Sequence, residues 1–201
     1  MQKRSKKESL ILGKLLERIA PRIGASVLIE PEWGIAGQVT FKSGKKSYFR
    51  YNTVDLNPMG GAEIASDKDY ANFFMQKMGY PVVPGSKTFF SDQWADAVDS
   101  KRTADAAYAY AATLGFPVVV KPNSGSQGKD VAVVHSKTEL LRALRAVFRN
   151  DRVAIVQKHL TGYDYRLVVL DEKVISAYQR LPLSVVGDGR SSLLSLLKKK
   201  Q

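Results

Sequence analysis

Apolar residues recur at helical spacing across residues 8–19, where Leu10, Ile11, Leu12, Leu15, Leu16 and Ile19 line one face before Pro21 and Gly24 stop the run. The period then shortens. Residues 27–30, 37–41 and 47–51 read as strands, with Gly44 in the hairpin turn at 42–45, so the first quarter of the chain predicts a small α+β unit. Residues 55–62 are loop-like, and 66–79 predict a helix with a capping residue at its start and a glycine at its end. A proline-rich extended connector at 79–85 leads into Lys87-Thr-Phe-Phe90. Residues 92–114 contain alanine-rich helix with Trp94 packed, ended by Gly115 and Pro117. From there the pattern gives a strand at 116–121, a glycine loop, a strand at 131–135 and a helix at 136–149. That helix is opened by Ser136 with Glu139 three residues on, the spacing of a capping box. Strands at 154–157, 164–170 and 174–179, separated by turns, complete an expected antiparallel meander.

Composition narrows the class. With 201 residues, 44% of them apolar, the chain can bury one good core or two small ones. The longest uncharged stretch, 106–120, is too short to span a bilayer and is broken by Gly115 and Pro117. The first residues lack the apolar core of a signal peptide, so no membrane association and a cytoplasmic location are expected. There is no cysteine, which excludes disulfides and thiolate metal sites, and His135 and His159 are too isolated to suggest a metal centre. Lysine and arginine outnumber acids 31 to 19, a formal charge of +12, which favours an anionic partner. Part of that excess sits in terminal runs of lysine, where a solvated end explains it equally well.

Two places carry candidate chemistry. Lys121 closes an apolar strand and opens the loop Pro122-Asn-Ser-Gly-Ser-Gln-Gly-Lys-Asp130, in which Gly125 and Gly128 let backbone N–H groups approach an anion. The spacing is neither that of a P-loop, since Asp130 follows Lys129 where serine or threonine would hold magnesium, nor the dinucleotide fingerprint. Read alone, the segment fits a surface turn beside an edge lysine as well as it fits a phosphate loop. Lys68 falls in the first turn of the helix at 66–79, where a positive charge opposes the helix dipole. An anion bound at the helix start explains it, and so does a surface pairing with Asp67 or Asp69.

Taken in order, Asp67-Lys68, Val120-Lys121-Pro122 with its glycine loop, Val156-Gln-Lys-His-Leu160, Gly162-Tyr-Asp-Tyr-Arg166 and Val185-Val-Gly-Asp-Gly-Arg190 resemble the ATP-grasp ligase superfamily. The wording is most similar to cyanophycin synthetases and to glutathione- and glutamate-ligating relatives, and the resemblance covers residues 37–201. It implies an α+β, ATP-grasp-like fold, a small α/β subdomain plus an antiparallel-sheet lid. The expected divisions are an N-terminal segment at 1–65, a helical linker region at 66–115, the nucleotide-binding lid at 116–183, and the start of a C-terminal subdomain at 184–201. It also implies that Lys68 and Lys121 reach the ATP phosphates, under a lid formed by Ser124, Gly125, Ser126 and Gly128. Gln157, Lys158 and His159 would present backbone hydrogen bonds to the adenine edge, Asp164 would accept from the ribose hydroxyls, and Arg166 and Arg180 would hold a carboxylate or acyl-phosphate.

The implied activity is ATP-dependent carboxylate–amine ligation, with ATP and Mg2+ as cofactors and an amino acid or peptide with a free carboxylate as substrate. One departure bears on it: the family's late acidic residue and Glu-x-Asn motif do not occur here, and Asp171, Glu172 and Asp188 do not reproduce them. The expectation is therefore a chain truncated before the catalytic strands, with magnesium ligands beyond residue 201. Such a chain would bind ATP weakly without turnover, and would form a homo-oligomer or need a complementing C-terminal polypeptide. The competing reading is a non-catalytic basic module that binds nucleotide or nucleic acid, for which Tyr48-Phe-Arg-Tyr51 is the only aromatic hint.

Overall fold

The computed structural model describes residues 11–182 and 184–200, so residues 8–10 of the first expected helix lie outside the described residues. Contacts divide the chain into two compact units, Met1–Tyr80 and Pro81–Gln201. In the first, α1 (Ile11–Ile19) runs into a single 3-10 turn, which ends at Gly24 in the left-handed conformation. Strands β1 (Ser26–Ile29), β2 (Ala36–Thr40), β3 (Lys46–Arg50) and β4 (Thr53–Val54) then form an antiparallel sheet in sequence order. Gly37 stands directly opposite the buried Phe49. A Cβ there would lie 2.5 Å from both the Phe49 ring and the Leu28 carbonyl oxygen, so this register requires glycine.

Helix α2 (Met59–Ser66) corrects the loop expected at 55–62. Gly60 and Gly61 read as loop formers, yet Pro58 supplies the entry: its carbonyl accepts the Ala62 N–H at 3.0 Å. Helix α3 (Lys68–Lys77) follows at once, with Asp67 closing one helix and capping the next.

The second unit opens with β5 (Lys87–Phe90). The expected helical stretch at 92–114 divides into α4 (Asp92–Ala97) and α5 (Ala104–Leu114). The break is at Asp99, whose φ of 49° is left-handed, and the Ser100 N–H closes α4 onto the Ala95 carbonyl at 2.8 Å. Trp94 is half-buried, with the Arg152 guanidinium 4.8 Å above its ring. Strands β6 (Val118–Pro122) and β7 (Ala132–Val134), helix α6 (Lys137–Val147) and strand β8 (Val153–Lys158) complete a four-stranded antiparallel sheet.

Its strand order is β5-β8-β6-β7, which corrects the expected meander. After β7 the chain must bury Leu140, Leu144 and Val147 of α6 on one sheet face. Crossing that face delivers β8 between β6 and β5 instead of outside β7. Helix α5 adds Ala107 and Ala111 to the same core, against Phe89, Val118, Val120, Val134, Ala154 and Val156. Strands β9 (Asp164–Leu170) and β10 (Lys173–Arg180) pair with each other as a separate two-stranded sheet, with a bulge between Val174 and Ser176. Before α7 (Leu193–Lys200), Asp188 accepts from the Arg190 N–H, the Ser191 N–H and the Ser191 hydroxyl, building the turn of the Val-Gly-Asp-Gly-Arg sequence. No helix among the described residues is long and apolar enough to cross a membrane.

Candidate nucleotide-binding site

The pleat of the second unit's sheet sorts β6 and β8 into two sets. Val118, Val120, Ala154 and Val156 face the helices, so Val119, Lys121, Ile155 and Gln157 share the opposite face. Pairing is direct: Lys121 lies opposite Ile155, and Val119 opposite Gln157. This face therefore carries a lysine and a glutamine at positions two residues apart along the strands, beside the half-buried Val119 and the fully buried Ile155. Gln157 is 9% exposed, and its Oε1 is buried without a hydrogen-bond partner. An unpaired buried carbonyl oxygen costs about 1–3 kcal/mol, so the strand holds an acceptor in want of a donor. Lys158 is exposed and His159 half-buried at the end of β8.

Past Lys121 the chain leaves the sheet through a firmly held root. The Asn123 N–H reaches the Val153 carbonyl at 2.9 Å, and the Ser124 N–H and hydroxyl both donate to Asp151. Beyond that root the loop is exposed. Gly125 (φ 80°), Gln127 (φ 61°), Gly128 (φ 71°) and Asp130 (φ 54°) are all left-handed, and nothing lies within 4 Å of a Cβ built on either glycine. At Gly125 and Gly128 that backbone conformation is one glycine adopts without the strain a Cβ would add. Ser126 accepts the Lys129 N–H at 3.4 Å through its carbonyl.

On the separate hairpin, Asp164 and Arg180 sit opposite each other and form a salt bridge of 2.5 Å. The hydrogen bond and charge of Asp164 raise the Arg180 pKa. The residue expected at the ribose and one expected at a carboxylate thus engage each other. Arg166 lies across from Tyr178, exposed. In the first unit, Lys68 is the first residue of α3, and Asp67 Oδ1 accepts the Asp69 and Tyr70 N–H groups at 3.0 Å each. Carboxylates at 67 and 69 offset the dipole penalty of Lys68. Among the described residues, no three His, Asp or Glu side chains gather as a metal site.

Sequence reasoning missed Asp151. It reads as one polar residue in a turn, and only its contact with Ser124, 27 positions away, gives it a role. The orphaned oxygen of Gln157 was equally invisible, because burial of one amide atom has no signature in composition.

The family model for the D-ala D-ala ligase C-terminus matches residues 68–186, which takes in α3, the β6 lysine, the glycine loop and the hairpin. The chain belongs to this family, within the ATP-grasp superfamily. Among ATP-grasp relatives, a cyanophycin synthetase of Trichormus variabilis is 30% identical over 146 residues, 72% of this chain and 15% of that protein. The glutathione biosynthesis bifunctional protein of Mannheimia succiniciproducens is 32% identical over 90 residues, 43% of this chain and 12% of the relative. A solved bifunctional glutathione synthetase from Pasteurella multocida is 25% identical, with a TM-score of 0.44, covering 88% of this chain and 23% of that one. The ATP-grasp chain thus spans about 15% of the length of the cyanophycin synthetases it matches.

Proposed function

We propose that this ATP-grasp chain binds ATP on the face formed by Val119, Lys121, Ile155 and Gln157, as the nucleotide-binding part of a cyanophycin synthetase-like carboxylate–amine ligase. The observation that carries the proposal is the partnerless amide oxygen of Gln157 beside Val119, with a lysine and a glycine loop at the other end of the strand pair. Adenine fits that arrangement: its flat ring rests on the partly exposed Val119, and its 6-amino group supplies the missing donor. Guanine presents a 6-oxo acceptor to the same oxygen, so ATP is preferred over GTP. At the phosphate end, Lys121 supplies charge and the loop from Gly125 to Gly128 supplies backbone donors.

In the reaction this assigns, a substrate carboxylate oxygen attacks the γ-phosphorus of ATP, ADP departs, and an amine then displaces phosphate from the acyl-phosphate to form the amide. Within the second unit, the positive charges at Lys121, Arg166 and Arg180 are suited to the anions involved. Magnesium, when bound with the nucleotide, neutralises phosphate charge. Residues 116–183 form the lid and 184–201 open the next subdomain, in a cytoplasmic ligase.

Thermal unfolding with ATP and magnesium tests this. A ligand that binds the folded chain adds about 2.7 kcal/mol at one hundred times its Kd, so the melting temperature rises. Lys121→Ala is expected to abolish the rise and Lys199→Ala to preserve it. Equal responses from both variants remove the phosphate assignment, and a rise with single-stranded DNA but not with ATP replaces it with a nucleic-acid-binding module.

A further inference from the structure

The glycine loop is fastened at one end by an acid 27 residues away. Ser124 has two donors, its N–H and its hydroxyl, and both end on Asp151 Oδ2, at 2.9 and 2.6 Å. The other Asp151 oxygen receives the Val153 N–H at 3.0 Å, while the Val153 carbonyl takes the Asn123 N–H at 2.9 Å. Two consecutive residues at the loop root are thereby tied to the opening of β8. An ionised carboxylate is the side chain suited to accept all three of these bonds at once. Burial acts to raise the Asp151 pKa, but hydrogen bonds from Ser124 and Val153 outweigh it and hold the group below its ordinary value. The left-handed backbone begins at the very next residue, Gly125, where nothing lies within 4 Å of the position a Cβ would take.

We infer that Asp151 and Ser124 form a clasp that sets the pivot of the lid at Gly125, so both are positioning residues and the phosphates are met from Gly125 onward. The inference rests on the proposed ATP site and revises the role of Ser124 within it. Phosphate oxygens need donors, and the two donors of Ser124 are already engaged by Asp151. A loop fastened at its root has fewer conformations to lose when it closes, which favours binding of the triphosphate over that of the nucleoside.

The test uses the whole chain with Asp151→Asn, Ser124→Ala and the double variant. Calorimetry measures ATP and adenosine affinity, and hydrogen exchange follows the Ser124 amide without nucleotide. The clasp predicts that each single variant weakens ATP about five- to tenfold and leaves adenosine unchanged. The double variant is expected to be no worse than the weaker single one, and Asp151→Asn to speed exchange at Ser124. Loss of ATP affinity in Ser124→Ala alone, or additive losses, would make Ser124 a phosphate ligand and overturn the inference. If the parent binds no ATP, the proposed function fails separately, and the exchange measurement decides the clasp: unchanged protection of Ser124 in Asp151→Asn sinks it.

Discussion

At the scale of single residues, the sharpest constraints come from close approach and from hydrogen-bonded carboxylates. Gly37 has no room for a methyl group between the Phe49 ring and the Leu28 carbonyl. Gly37→Ala is expected to cost about 1–3 kcal/mol by forcing β2 away from its neighbours, read as a lower melting temperature for the first unit. Asp188 tests the electrostatics. Hydrogen bonds from the Ser191 N–H, the Ser191 hydroxyl and the Arg190 N–H lower its pKa to about 2. Because the folded value lies below the unfolded value of about 3.9, the turn gains stability above the unfolded pKa. That gain is lost as pH falls from about 4 through about 2. An NMR titration should therefore show the Ser191 amide signal moving in that window, with no such transition in Asp188→Asn.

Secondary-structure elements were legible where local chemistry and periodicity agreed. Ser136 caps α6 by accepting the Glu139 N–H at 3.3 Å, as its spacing predicted. The return bond of Glu139 goes to the His135 N–H at 2.8 Å, one residue before the cap. Ser136→Ala is expected to cost about 1 kcal/mol, whereas Leu144→Ala, in the core beneath the same helix, should cost about 2–5 kcal/mol. Denaturant melts of the two variants check that order, and a larger loss from the cap than from the core would contradict the packing described. Helix α2 was not legible, since two glycines and a proline speak for a loop in isolation. The split between α4 and α5 was hidden too, because the left-handed turn at Asp99 has no glycine to announce it.

Across the whole molecule, charge and topology act at different ranges. A formal charge of +12 attracts anions from beyond contact distance, but screening confines that attraction to about 10 Å at 0.1 M salt. Stopped-flow association of a fluorescent ATP analogue should slow as salt rises, with Lys121→Ala chiefly raising the dissociation rate. An association rate indifferent to salt would remove any role for long-range steering.

The order of apolar and polar positions along this chain was enough to determine most strands, the amphipathic helices, the cap at Ser136 and the residues that carry the family resemblance. These depend on neighbours within a few positions, where pleat and helical pitch link sequence spacing to a common face. Tertiary structure alone decided that β8 enters between β5 and β6, that Asp164 engages Arg180, that Asp151 holds Ser124, and that the Gln157 oxygen is buried without a partner. Each depends on which distant segments meet, and chain closure brings them together through burial of the α5 and α6 core, a non-local term that no short window of residues contains.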